Sequence, residues 1–262
     1  MRPYLGWLVA LLTIAQAPAL AYTARKEVRE VRAFGPGARL EVRNVNGSIS
    51  VLPWGIDSVE VCAEISVRAK DREEAEDFLQ DVEIEIRQVG RRLVVQARHP
   101  SVASGFWDWV FGQRKPEASV EFRIRVPKDA DLELKTVNGA IEVEAVKGRL
   151  SFSTTNGRVE ARDVGGEVEA STVNGSVRVE FTEVDPHARM EFKTVNGGIR
   201  LYLPENVRAD IDASTINGHL ETDFPLQVTG KYVGRHIAGS INGGGAFFRL
   251  RTVNGGIDIL RR

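Results

Sequence analysis

The chain has 262 residues, enough for one large domain or two small ones, with 35 Lys and Arg against 36 Asp and Glu. A formal net charge of −1, with the two signs interspersed, leaves no electrostatic footprint for nucleic acid and no polybasic patch for anionic lipid. A single cysteine, Cys62, excludes an intrachain disulfide, so an exported form must be held by its core and its hydrogen-bond ladders.

Met1-Arg2, an apolar run from Leu8 to Ile14 and the small-x-small sequence Ala19-Leu20-Ala21 read as a secretory signal peptide over residues 1–21, with the mature chain starting near Tyr22. The apolar run is shorter than the ~20 residues that span a bilayer. The polar Thr13 and Gln16 and the proline Pro18 also argue against a span, and no Cys follows the cleavage site to carry a lipid. The expectation is an exported protein, periplasmic, cell-surface or extracellular, with no integral membrane span after cleavage.

Residues 22–130 read as a β-rich cap region with one helix. Leu40 and Val42, then Ile49 and Val51, alternate with polar residues, and Val59, Val61, Ala63, Ile65 and Val67 alternate strictly, as in a half-buried strand. Asp71 with Glu74 forms an N-cap and N3 pair, and Ala75, Phe78, Leu79 and Val82 follow at helical spacing. Two more strands, around Ile84 and Val94, are joined at Gly90. After a loop from His99 to Pro116, the run Val120 to Pro127 leads onward.

Residues 131–262 form a repeat array. Asn-Gly recurs at Asn138, Asn156, Asn174, Asn196, Asn217, Asn242 and Asn254, with an outlying copy at Asn46. Thr or Ser stands two residues before each of the seven, and Ile, Val or Leu three residues after most of them. A period near twenty residues marks an array of stacked units. A second, variable turn falls at Lys147-Gly148, Gly165-Gly166, Asp185-Pro186 and Pro204-Glu205-Asn206. Between the turns Ile141, Val143, Leu150 and Phe152 face inward, and Glu142, Glu144, Arg149 and Ser151 face out. Two all-β architectures fit: a β-solenoid of the single-stranded β-helix type, with Asn-Gly repeats stacked coil on coil, or an antiparallel β-meander with type I′ hairpins at Asn-Gly. The recurrence of Thr favours the solenoid, because a hairpin needs only its turn dipeptide. One coil cannot stand alone, so the array folds as a unit and its first coil needs a cap.

The run Val120-Glu121-Phe122-Arg123-Ile124-Arg125-Val126-Pro127, followed by Leu132-Glu133-Leu134-Lys135-Thr136-Val137-Asn138-Gly139-Ala140-Ile141-Glu142-Val143, resembles a bacterial family, the "putative adhesin" family of β-strand-repeat proteins, a domain of unknown function. The resemblance covers most of the mature chain and is strongest from residue 118 onward. It implies a β-helix-like solenoid at the cell envelope, and it carries no catalytic residues to transfer.

Candidate chemistry is sparse. Turn chemistry accounts for Asn-Gly, with Gly supplying positive φ. His99, His187, His219 and His236 form no metal-ligand spacing with one another or with Cys62, so no metal and no cofactor are expected. Asp210, Asp212, Glu221 and Asp223 are the nearest approach to a glycosidase carboxylate pair, and alternating acids on a solvated face explain them. Gly243-Gly244-Gly245 lacks the Lys-Ser/Thr of a phosphate loop. Cys62 has no nearby base. The candidate recognition element is the aromatic loop holding Phe106, Trp107, Trp109 and Phe111, either a patch for an envelope protein or glycan or a plug on the solenoid. The reading is an exported, non-enzymatic, adhesin-like or scaffold protein of the cell envelope. The alternatives are a carbohydrate-active enzyme on the same scaffold and an envelope-stress regulatory module.

Overall fold

A computed structural model describes residues 21–35, 37–98, 116–228 and 236–262. The expected alternation becomes strands throughout. In chain order they are β1 (Tyr22–Ala33), β2 (Arg39–Arg43), β3 (Ile49–Trp54), β4 (Ser58–Ala69), then helix α1 (Arg72–Asp81), β5 (Glu83–Val89), β6 (Arg92–Arg98), β7 (Glu117–Pro127), β8 (Asp131–Lys135), β9 (Ile141–Glu144), β10 (Lys147–Ser153) and β11 (Val159–Ser171). The rest are β12 (Val177–Phe181), β13 (Arg189–Lys193), β14 (Ile199–Leu203), β15 (Ala209–Asn217), β16 (Leu220–Thr222), β17 (Gln227–Val228), β18 (His236–Ile241), β19 (Ala246–Asn254) and β20 (Ile257–Arg261).

The fold is all-β and solenoid-like. Each coil crosses from one sheet to the other at the Asn-Gly corner and returns at a second corner. Sheet A runs β1, β4, β7, β3, β9, the first half of β11, β12, β14, β20, β16. Sheet B runs β5, β6, β2, β8, β10, the second half of β11, β13, β19, β15, β18, β17. The interior pairings are parallel and in register, so the Asn-Gly corners of the stack are not hairpin turns of an antiparallel meander. Period-two alternation gives the strands inside the stack an inward apolar face: Ile141, Leu150, Phe152, Val159 and Val177 are at most 1% exposed.

Coil order departs from chain order at both ends. The β2–β3 coil lies between the β6/β7 coil and β8–β9. The last coil, β19–β20, lies between β13–β14 and β15–β16. Phe248 of β19 seats the inserted coil: its ring lies 6.4 Å from Phe192, stacked, and 5.9 Å from Phe181, edge-on. Beyond the parallel stack the sheets continue antiparallel, through β4 and β1, through β5, and through β18 and β17. The edge strand β1 carries Arg25, Lys26, Glu27, Arg29, Glu30 and Arg32, charges that oppose edge-to-edge association. Helix α1 starts as its sequence dictates, with the Asp71 carboxylate accepting from Glu74 N–H at 2.9 Å and Ala75 and Leu79 buried.

Two local expectations are corrected. Asn242-Gly243 is outside the repeating frame: it lies in the turn between β18 and β19, with Asn242 at φ 50°, and its amide donates to the Val207 carbonyl at 2.8 Å. The second corner turns at Ala145 (φ 51°) and Asp163 (φ 55°), ahead of the glycines at 148 and 166, which lie within β10 and β11. Buried Val146 and Val164 follow each bend and fill the corner from inside.

Candidate functional site

The feature that organises one whole side of the molecule is the Asn-Gly corner. Along it seven carboxamides stack in the order Asn46, Asn138, Asn156, Asn174, Asn196, Asn254, Asn217. Each Nδ2 donates to the Oδ1 of the preceding one at 2.8 Å, or 2.9 Å for the last pair. All but the half-buried Asn46 are exposed. A carboxamide has two N–H donors and two acceptor lone pairs. From Asn138 to Asn254 the ladder takes one of each, so these amides present one donor and one acceptor to solvent in every coil.

The threonine two residues earlier is the buried half of the same device. Thr136, Thr154, Thr172, Thr194, Thr252 and Thr215 are 1–6% exposed. Their hydroxyls donate at 2.9–3.1 Å to the carbonyls of Gly47, Gly139, Gly157, Gly175, Gly197 and Gly255 in the neighbouring coil. In the β2–β3 coil Asn44 takes the place of threonine and its amide donates to Gly47 and Val120 carbonyls. The glycine is required by proximity. A Cβ at Gly157 would lie 2.0 Å from the Gly139 carbonyl oxygen, and one at Gly175 would lie 2.0 Å from that of Gly157. Positive φ, the expected reason, does not apply at these two positions, whose φ lies outside the left-handed range.

Between the threonine and the asparagine stands a residue that points outward: Val45, Val137, Thr155, Val173, Val195, Val253 and Ile216 in stack order. Val45, Val137, Val173 and Ile216 are 40–63% exposed. The corner is therefore a straight edge on which β-branched side chains run beside a row of amides, one of each per coil, at the ~4.8 Å spacing of paired strands. The sequence carries this position in plain view, but it reads as another strand residue until the stacking is known.

The residues singled out from sequence fall as follows. Phe106, Trp107, Trp109 and Phe111 lie outside the described residues, as do residues 1–20 of the expected signal peptide and His99. The four acids are dispersed. Asp210 accepts from Ser240 Oγ at 2.6 Å, and Asp212 accepts from Arg251 Nη2 at 2.6 Å and pairs with His236 Nε2 at 2.9 Å, both on sheet B. Asp223 accepts from the Arg261 N–H at 3.0 Å beside sheet A. The Arg251 hydrogen bond, with His236 adding to it, holds the Asp212 carboxyl below its ordinary range against a smaller desolvation effect. Glu221 joins His219 and Asp258: one ligand atom from each lies within 4.8 Å of the others. Sequence spacing could not find this group, because β16 and β20 meet only through the changed coil order. Cys62 is half-buried on the outer face of β4, its thiol donating to Glu27 Oε1 at 3.2 Å. Burial, then Glu27, pushes that thiol up, the reverse of an activated nucleophile.

Among the described residues no helix is long and apolar enough to cross a membrane. The family model of Toastrack DUF4097 matches residues 130–260. No match is found among curated proteins. Among solved structures the chain is similar to a putative cell adhesion protein from Clostridium sporogenes ATCC 15579, 13% identical, with 90% of this chain and 100% of that one covered and a TM-score of 0.48. It is also similar to a putative adhesin from Bacteroides fragilis NCTC 9343, 8% identical, covering 90% and 97%, TM-score 0.42. A third is a putative lipid binding protein from Parabacteroides distasonis ATCC 8503, 13% identical, covering 88% and 96%, TM-score 0.35.

Proposed function

The chain belongs to the Toastrack DUF4097 family, and on that footing we propose that it is an exported, non-enzymatic, adhesin-like binding scaffold of the bacterial cell envelope that holds a glycan along its Asn-Gly edge. The observation that carries this reading is the edge itself. Outward amide donors and acceptors match sugar hydroxyls, and the exposed Val137, Val173 and Ile216 beside them match the apolar faces of sugar rings. The regular spacing suits a linear, repeating ligand. Dispersal of Asp210, Asp212 and Asp223 among separate hydrogen-bond partners supports a binding role over glycoside hydrolysis, which needs two carboxylates across one bond. Export rests on the sequence pattern that ends at Ala21. N-terminal sequencing of protein from the envelope fraction should then begin near Tyr22, and retention of Met1 would remove that part of the reading.

The test is a glycan and envelope-component binding screen of the full chain beside a Val137→Lys, Val173→Lys variant. Both positions are exposed, so the variant should fold and melt like the parent while losing the bound glycan. Undiminished binding by the variant would take recognition away from the edge. A parallel Trp107→Ala, Trp109→Ala variant locates it: loss of binding there alone, with an unchanged melting transition, places recognition in the aromatic loop.

A further inference from the structure

His219, Glu221 and Asp258 come together at the junction of two coils that are far apart in sequence. Glu221 of β16 is paired in register with Asp258 of β20, and His219, two residues before Glu221, projects to the same outer face of sheet A. The His219 Nε2 lies 3.0 Å from Asp258 Oδ1. Its imidazole is seated over Gly256: a Cβ there would be 2.2 Å from His219 Cε1 and 2.4 Å from Nε2. Glycine at 256 therefore leaves the room that the ring occupies.

The charges around this group do not balance. Elsewhere on the outer face of sheet A, Glu60 is matched by Arg29 and Arg125, Glu142 by Arg158, and Glu180 by Arg178. Here Asp258 Oδ2 takes Arg200 Nε at 3.2 Å, while the Glu221 carboxylate has no hydrogen bond or ion pair among the described residues. Two carboxylates thus face one guanidinium and one imidazole. The other histidine–aspartate pair, His236 with Asp212, differs in this respect, because both Asp212 oxygens are taken by Arg251.

We propose that His219, Glu221 and Asp258 form a divalent-cation site suited to Zn2+. Imidazole and carboxylate oxygens are ordinary zinc ligands at about 2.0–2.2 Å, and tetrahedral geometry at that length sets neighbouring donor atoms about 3.3 Å apart. The Nε2 to Oδ1 separation of 3.0 Å is close to this, so a cation is held by those two atoms with little movement. The exposed Glu221 side chain, without a partner among the described residues, swings in as the third ligand. Water completes the shell from the solvent side. Bound Zn2+ fastens the short edge strand β16 to β20 and stabilises the C-terminal end of the stack.

The experiment titrates Zn2+ alone into the full chain, free of any histidine tag and first stripped with a chelator, by calorimetry and thermal melting. One site per chain and a melting temperature that climbs with Zn2+ concentration are expected. His219→Ala and Glu221→Gln should each weaken binding at least tenfold. Arg200→Gln, which frees Asp258 Oδ2, should strengthen it several-fold. Melts of the metal-free variants confirm that they fold, and Glu221→Gln breaks no side-chain hydrogen bond or ion pair among the described residues. Absence of binding by the parent chain would overturn the proposal. So would parent-like affinity in both His219→Ala and Glu221→Gln, which would place the zinc elsewhere. Glycan binding is read separately and does not bear on this outcome.

Discussion

The buried hydroxyl of Thr154 donates to the Gly139 carbonyl of the neighbouring coil, 3.0 Å away. Gly139 N–H bonds to Asn156 while its carbonyl faces Gly157, so the threonine supplies what the ladder leaves unmet. Thr154→Val keeps the shape and removes the donor, leaving a buried carbonyl without a partner. It should cost about 1–3 kcal/mol, seen as a lower denaturant midpoint with an unchanged slope. Thr154→Ser, which retains the hydroxyl, should recover most of that loss.

Gly157→Ala should be among the most damaging single changes in the chain. Its Cβ would meet backbone, the Gly139 carbonyl oxygen, at 2.0 Å, and backbone in a continuous ladder cannot give way locally. A loss above about 4 kcal/mol, or failure to fold, is expected. Gly55→Ala is the control: nothing lies within 4 Å of its added Cβ, and the change should stay within about 1 kcal/mol. Similar melting curves for the two variants would refute the close-stacking account.

Phe152 is 1% exposed inside the array, and Glu142 lies on the outer face, paired with Arg158. Phe152→Ala should destabilise by about 3–5 kcal/mol. Glu142→Ala should change stability by less than about 0.5 kcal/mol. Equal effects in chemical denaturation would mean that the inside and outside of the coil are misassigned.

Asp212 gives the array a share of its acid sensitivity. Its folded pKa is depressed, chiefly by the Arg251 hydrogen bond, so its contribution is complete above the unfolded carboxylate value of about 3.9 and is lost as pH falls through the lower folded value. Asp212→Asn should therefore lower stability at pH 6–7, and the gap from the parent should close below about pH 4. A gap that persists unchanged at pH 3 would exclude the ion pair as its source.

Much of this was legible because the repeat is local. The Asn-Gly frame, the inward Ile141 and Phe152, and the Asp71 cap each depend on residues near one another in sequence. The stack order was not, because every coil carries the same signals. Asn254 carries the same Thr-x-Asn-Gly signal as Asn217, yet it lies between Asn196 and Asn217. The Phe181–Phe192–Phe248 cluster is one long-range contact made where that coil sits. Asn242-Gly243 shows the converse: the dipeptide alone specifies a turn, the Ser240 hydroxyl two residues before it donates to Asp210 instead of to a neighbouring coil's glycine, and the turn joins no ladder. His219 and Asp258 could be brought together only by the same long-range order.

The interleaved coil order has a mechanical consequence. A strand at the end of a stack can be peeled away, its hydrogen bonds breaking one after another. β20 is bordered on both faces of its ladder, by β14 and by β16, and β19 by β13 and β15. Tension transmitted along β20 must slide it past two neighbours at once, and β2 and β3 are held in the same way at the opposite end. Pulled along its own axis, β20 therefore loads two ladders in shear, whereas an edge strand such as β1 has only one.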